Sequence, residues 1–150
     1  LVPNTYTTSA PAEAEWLGLF AAANHLDGFL RWAYNSWNRN PLQTTDFGNW
    51  TTGDCFLVYP GNRSSIRFER LRDGIEEYEK IRILRERAKE SPAAASIVDS
   101  MNTRLAAIFT VERSSQYYIH AQDVKNARAI VDETLTALNT LQEAQAEPMP

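Results

Sequence analysis

The chain has 150 residues, 43% of them hydrophobic, and a formal net charge of −4. That length makes one domain with a sizeable core, and it falls short of the ~250 residues of a complete (β/α)8 barrel. No basic run marks a nucleic-acid surface, because the arginines between Arg63 and Arg87 alternate with glutamates, and no apolar stretch reaches the ~20 residues of a membrane span.

Leu1 to Ser9 reads as short and irregular, with Pro3 and the Thr-rich stretch as a loop. Pro11 to His25 reads as a helix, with Pro in the first turn and Glu13 and Glu15 suited to the positive end of the macrodipole. Trp16, Leu19, Phe20 and Ala23 recur at three- and four-residue spacing and form its apolar stripe. Leu26-Asp27-Gly28 stops it, and His25 stands at its negative end.

Gly28 to Asn35 is a predicted strand. Alternation puts Phe29, Arg31, Ala33 and Asn35 on one side and Leu30, Trp32 and Tyr34 on the other. The second set reads as packing against helices. The first carries a charge, Arg31, which needs a carboxylate when buried; Asp54, Asp46 or a carboxylate outside this chain are the candidates. Ser36 to Asp54 is a long polar loop of the kind that usually serves function. Cys55 to Tyr59 is a predicted second strand, closed by Pro60-Gly61. Cys55 is the single cysteine, so no disulfide framework or cysteine-based metal site is expected. Asn49-Trp50-Thr51 and Asn62-Arg63-Ser64 match the glycosylation sequon, a short pattern common by chance.

Ser64 or Ser65 caps a predicted helix to about Lys89 whose apolar stripe is Phe68, Leu71, Ile75, Tyr78, Ile81 or Arg82, and Leu84. Glu69, Arg70, Arg72, Asp73, Glu76, Glu77 and Lys80 read as its solvated sides. Gly74 interrupts the helix and marks a close approach, expected against a strand. Ser91-Pro92 restarts a helix to about Phe109, burying Val98, Met101, Leu105 and Ile108. A polar break over 112–116 leads to a last helix, about His120 to Glu143. Its stripe is Val124, Ala127, Val131, Leu135, Leu138, and Leu141 or Gln142, followed by a tail from Glu147 to Pro150.

Three of the four tryptophans, Trp32, Trp37 and Trp50, fall between Gly28 and Gly61, among Tyr34, Tyr59, Asn35, Asn38, Arg31 and Asp54. Rings that stack on the C–H face of a pyranose, mixed with amides and carboxylates that hold its hydroxyls, make a sugar site. The plain alternative for the rings is core packing. Arg31, Trp32, Tyr34, Asn35, Trp37, Asn38, Asp54 and Tyr59 are the candidate substrate-binding residues. No glycine-rich phosphate loop, nucleophile triad or metal-ligand spacing is present, so no cofactor and no metal are expected.

Three blocks of this sequence also resemble a family. GFLRWAYNSWNRNPL, GDCFLVYPG and SSIRFERLRDGIEEYEKIRIL, in that order, are similar to the C-terminal part of the glycoside hydrolase family 123 catalytic domain, also catalogued as a domain of unknown function. The resemblance runs from about Pro3 to Arg85. It implies a β-N-acetylgalactosaminidase-like parent on a (β/α)8 barrel. Hydrolysis there is substrate-assisted, with the 2-acetamido group as nucleophile and an adjacent Asp-Glu pair assisting. That pair has no counterpart here: Asp132-Glu133 is the one Asp-Glu dipeptide, on a predicted solvated helix face.

The fold class that follows is an α-rich α/β fragment. Residues 1–90 supply the last strands and helices of the barrel, and residues 91–150 a helical extension packed on it. The implied partners are a 2-acetamido sugar or glycan and the missing N-terminal part of the barrel, or another copy of the chain. The parent is expected to be secreted or periplasmic in a bacterium, and the chain alone inactive. The competing functions are a non-catalytic carbohydrate-binding module and a helical interaction module.

Overall fold

The computed structural model describes residues 3–116 and 119–146, and the tail from Glu147 lies outside them. Five α-helices are present among these residues: α1 Pro11–Ala23, α2 Ile66–Arg87, α3 Pro92–Ile108, α4 Val111–Ser114 and α5 His120–Ala146. A 3-10 turn, Ala88–Glu90, joins α2 to α3.

The helix starts follow local chemistry. The Ser65 hydroxyl accepts the Phe68 N–H at 3.2 Å, and Ser91 accepts the Ala94 N–H at 3.1 Å, with Pro92 at the first position. In α1 the cap residue is Ala10, whose side chain has no oxygen to offer. Glu13 takes over part of that role, accepting the Ala10 N–H at 3.2 Å and the Asn4 N–H at 2.8 Å. Glu13 is fully buried, so its carboxylate closes a turn inside the protein rather than facing water. Val111–Ser114, read from the sequence as a break, forms a short helix capped by Thr110, and Arg113 pairs with the buried Asp123 at 2.6 Å.

Helix α1 runs through the middle of the fold and is buried on most sides, as its run of small and apolar residues requires. One side lies on α2, the other on α5. The α1–α2 crossing is set by two glycines. A Cβ on Gly18 would sit 2.2 Å from the Gly74 carbonyl oxygen, and one on Gly74 would sit 2.5 Å from the Glu15 carbonyl oxygen. Gly74 therefore marks a close approach to a helix, not to a strand. Trp16 fills the space beyond, stacked on Phe20 at 5.2 Å, tilted to Phe109 at 4.9 Å and edge-on to His120 at 5.4 Å. Ile81, Val98, Met101, Leu105, Ala127 and Leu138 complete a core shared by α1, α2, α3 and α5. Asn24 locks the end of α1 to that of α3 by donating to the Phe20 and Phe109 carbonyls at 2.9 and 3.0 Å.

Polar groups also hold the helices together. Glu15 of α1 is 2% exposed; it contacts the Arg128 guanidinium of α5 and lies 3.9 Å from Arg70 of α2. Asp73 bridges the same cations, 2.8 Å from Arg70 and 3.8 Å from Arg128. Burial pushes the Glu15 carboxyl above its usual 4.5, opposed by Arg128, with Asp73 adding to the rise. Glu77 thus corrects the solvated reading of the α2 charges. Glu77, 4% exposed, pairs with Lys80 at 2.6 Å.

The predicted strands are absent among the described residues. Residues 34–36 lie antiparallel to 55–57 through two bonds only: Leu57 N–H to the Tyr34 carbonyl at 2.8 Å and Ser36 N–H to the Cys55 carbonyl at 3.0 Å. Between Gly28 and Ala33 no backbone group has a backbone partner among the described residues, and an extended segment without a ladder is not a strand. The side assignment is also reversed. Ala33 is buried and Arg31 half-buried, while Leu30 is 90% exposed and Trp32 and Tyr34 stand out of the surface. Ile75 and Leu135 are exposed as well. The buried rows are Arg67, Leu71, Gly74, Glu77, Ile81 and Leu84 on α2, and Val124, Ala127, Val131, Thr134 and Leu138 on α5. Phe20, Val58, Phe68 and Tyr78 are partly rather than mostly buried.

Two outcomes test this packing. Helix propensity alone makes Gly74→Ala stabilising by about 1 kcal/mol. The crossing reverses the sign, and urea unfolding should show a loss of about 1–3 kcal/mol. A second variant, Arg128→Met, removes the cation opposite Glu15. In the fold, a raised carboxyl pKa means tighter proton binding than in the unfolded chain. Glu15 therefore favours folding fully below about 4.5, and that contribution is lost as pH rises through its folded pKa. The deficit of Arg128→Met relative to the parent should be largest at neutral pH, and should shrink as the pH is lowered toward 4.5. Paired melting curves at several pH values measure it.

Candidate functional site

The loop from Asn24 to Ser65 lies over the N-terminal ends of α1 and α2. Arg67, in the first turn of α2, anchors it from below. Its guanidinium donates to the Gly53 carbonyl at 2.7 Å and to the Thr5 carbonyl at 2.9 Å, and burial lowers its pKa, with Tyr59 opposing. Gly53 has φ 85°, and a Cβ there would meet Thr7 and the Arg67 guanidinium at 2.9 Å, so loop and anchor fit only with glycine. Leu57 packs on Ala14 and Leu71, seating the second extended segment on both helices.

This scaffold gathers the eight candidate residues into two groups and sets one apart. The first group lines an open cleft of about 320 Å³: Tyr34, Asn35, Trp37 and Tyr59, joined by Val58, Asn62, Arg63, Ser64, Phe68 and Glu69. Trp37 donates its indole N–H to the Val58 carbonyl at 2.8 Å, which fixes the ring while leaving it 41% exposed. Tyr34 meets Phe68 edge-on at 5.6 Å, and Tyr59 meets Phe56 edge-on at 5.4 Å. The Tyr59–Arg63 turn, with Asn62 at φ 57°, closes one wall. Both Glu69 oxygens are engaged, one by the Ser64 hydroxyl and one by Arg72 at 2.8 Å.

The second group is a knot on Asp54. Arg31 donates to the Asp54 carbonyl at 2.6 Å and to its carboxylate at 3.1 Å, and to the Asn4 side chain at 3.2 Å. Trp32 donates its indole N–H to the other carboxylate oxygen at 3.1 Å. Arg31 thus finds Asp54 rather than Asp46. The Cys55 thiol beside it is 1% exposed, and burial raises its pKa, with Asp54 adding to the rise and Arg31 opposing it.

Asn38 is the residue set apart. Its amide donates to the Thr44 and Asp46 carbonyls at 2.9 and 2.7 Å, and its oxygen accepts the Asn40 N–H at 2.9 Å, so all it offers is already used to fold the loop.

Sequence reasoning missed Arg67, Arg63 and the Phe68–Glu69 wall. Arg67 lies four and seven residues before Leu71 and Gly74, so the helical period already placed it on the buried row. No comparable signal existed for Arg63, which enters through a turn. Among the described residues no group of three or more His, Cys, Asp or Glu side chains gathers to hold a metal, and no helix is long and apolar enough to cross a membrane.

The model of the glycoside hydrolase 123 catalytic domain matches residues 1–84, more than half of the chain and all of both groups. The chain belongs to that family. A solved structure of a family 123 glycoside hydrolase from Clostridium perfringens, described for glycolipid glycan hydrolysis, superposes with a TM-score of 0.74 at 23% identity. At that identity the likeness is one of fold. It covers 96% of this chain and 27% of that one, so the helices beyond residue 84 share the neighbour's fold although the family model stops there. No curated protein matches the sequence.

The Asp54 knot makes a separable stability prediction. Arg31→Ala leaves a part-buried carboxylate with one donor fewer and should cost about 1.5–3 kcal/mol in denaturant unfolding. The exposed Arg39→Ala, as control, should stay within about 0.5 kcal/mol of the parent.

Proposed function

We propose that the chain is the C-terminal part of a β-N-acetylgalactosaminidase-like catalytic domain of family 123, and that its cleft contributes to binding a 2-acetamido sugar. The family-model match over residues 1–84 carries the reading. The cleft supports its chemical half. Trp37, Tyr34 and Tyr59 offer faces for the apolar side of a pyranose, and Asn35, Asn62 and Arg63 offer donors to its hydroxyls. A volume near 320 Å³ lies at the lower end of small-ligand sites, which suits one sugar ring.

On this reading residues 1–90 are the last strands and helices of a (β/α)8 barrel and residues 91–150 a helical extension. Support comes from the backbone of 28–33, extended and without backbone partners among the described residues, beside the exposed Leu30, Trp32 and Tyr34. A neighbouring barrel strand would supply the ladder and turn that exposed side inward. The same unpaired edge could pair with a second copy of the chain. The secreted or periplasmic setting belongs to the parent in the same way.

Catalysis needs an Asp-Glu pair that the matched region does not contain. Asp132-Glu133 does not stand in for it: both side chains are exposed on α5, and Glu133 is paired with Arg104 at 2.7 Å. The chain binds and positions; the acid and the acetamido-orienting group come from the remainder of the domain.

The test is kinetic. The full-length parent should hydrolyse a chromogenic β-N-acetylgalactosaminide and the isolated chain should not. In the parent, Trp37→Ala should lower kcat/KM at least about tenfold, about 1.4 kcal/mol, with the melting temperature nearly unchanged. An unaltered kcat/KM would remove the cleft from the sugar site, and turnover by the isolated chain would overturn the division of labour.

A further inference from the structure

The segment before α1 meets the loop at three separate places. Thr7 donates its N–H and its hydroxyl to the Thr52 carbonyl, at 3.0 and 3.1 Å. The Thr5 carbonyl accepts Arg67, and Thr5 itself is fully buried. The third place is Asn4, whose contacts differ in kind. Its side-chain oxygen accepts two donors, the Thr5 N–H at 2.9 Å and the Arg31 guanidinium at 3.2 Å. Two donors on one atom fix which way round the amide lies. The Asn4 backbone N–H meanwhile donates to the buried Glu13 carboxylate at 2.8 Å.

Arg31 reaches Asp54 through one nitrogen, Nη2, which serves both the carbonyl and the carboxylate. A guanidinium is rigid and planar, so a contact through one nitrogen leaves its plane free to swing. The bond from Nη1 to Asn4 is the second point that fixes that plane. Asn4 is itself held on Glu13, in the first turn of α1. The orientation of Arg31 is therefore set by the helical frame and not by the loop alone. What Arg31 holds is the entry to the cleft wall. Asp54 leads directly into Cys55 and Leu57, whose backbone bonds to Ser36 and Tyr34 place Tyr34 and Asn35 in the cleft. The relay Glu13–Asn4–Arg31–Asp54 runs from a buried helix end to two residues that line the site.

We propose that Asn4 is a positioning residue for the cleft. It acts without touching a ligand: through Arg31 and Asp54 it holds the Tyr34–Asn35 wall at the spacing that a bound sugar needs. This rests on the sugar-binding reading of the cleft given above. The competing role is local, in which the Asn4 oxygen serves only to close the turn onto the Thr5 N–H.

Three variants separate the two roles. Asn4→Ala removes the acceptor, Asn4→Asp keeps it, and Asn4→Ser leaves a polar side chain too short for Arg31, which guards against Asn4→Ala failing to fold. In the full-length parent, acting on a chromogenic β-N-acetylgalactosaminide, Asn4→Ala and Asn4→Ser should raise KM about fivefold with kcat within about twofold, and Asn4→Asp should restore the parental KM. In the isolated chain the indole N–H of Trp32, which donates to Asp54, reports the relay without any sugar. Its NMR signal should move upfield in Asn4→Ala and Asn4→Ser and stay in place in Asn4→Asp. An unchanged KM in Asn4→Ala and Asn4→Ser, with Trp37→Ala still impaired, would overturn the proposal and leave the cleft standing, even if the melting temperature falls. An equal rise of KM in all three variants would overturn it too, because the acceptor would then not be what matters. Should Trp37→Ala leave kcat/KM unaltered, the sugar reading falls and the proposal for the cleft falls with it; the indole signal still tells whether the relay exists, and an unmoved signal would remove that as well.

Discussion

Everything in this fold depends on how closely α1 approaches α2. With glycine at both Gly18 and Gly74 the two backbones touch, because neither position could carry even a methyl group. That closeness brings the first turn of α2 under the loop, where Arg67 reaches across to the Thr5 and Gly53 carbonyls. It also brings Leu71 onto Ala14, and so seats Leu57. The cleft wall made by Phe68 and Glu69 stands in the same first turn, directly after Arg67. A wider crossing would move the floor of the cleft away from its aromatic side. The geometry of a surface site thus traces to two residues that never touch it.

The same crossing creates a cost that the last helix answers. Glu15 is carried into the interior beside Gly74 and needs a cation there. Arg70 and Asp73 lie on α2, but the direct partner is Arg128, on α5. A buried carboxylate left alone is strongly destabilising, so residues outside the family-model match contribute to the integrity of residues inside it. The structural likeness to the Clostridium perfringens enzyme, which extends over 96% of the chain, fits this interdependence.

Much of the helical frame was legible because its signals are local. Ser65, Ser91 and Pro92 mark starts by their own chemistry, and Val98, Met101 and Leu105 fall on one face by spacing. The charges were misread for the opposite reason. Nothing near Glu77 in sequence says that it will be buried, since the residues that cover α2 come from elsewhere in the chain. The strands failed on another physical ground. Alternation in Phe29 to Tyr34 states a preference for extended backbone, but a strand exists only with a partner, and none lies beside 28–33 among the described residues. For the site, residue type was informative and role was not. Asn35 and Asn38 are the same amide three residues apart; one lines the cleft and the other is wholly used in holding the loop.

Cys55 gives the loop an internal clock. Its thiol lies behind the strip where residues 34–36 meet 55–57, almost without solvent contact, and burial keeps it protonated beyond the ordinary thiol range. Only the thiolate reacts with an alkylating reagent, and only when the strip parts. The Ser36–Cys55 and Leu57–Tyr34 bonds that must part are those that position Tyr34 and Asn35. The rate at which this single sulfur is labelled therefore reads the frequency with which the aromatic wall comes undone.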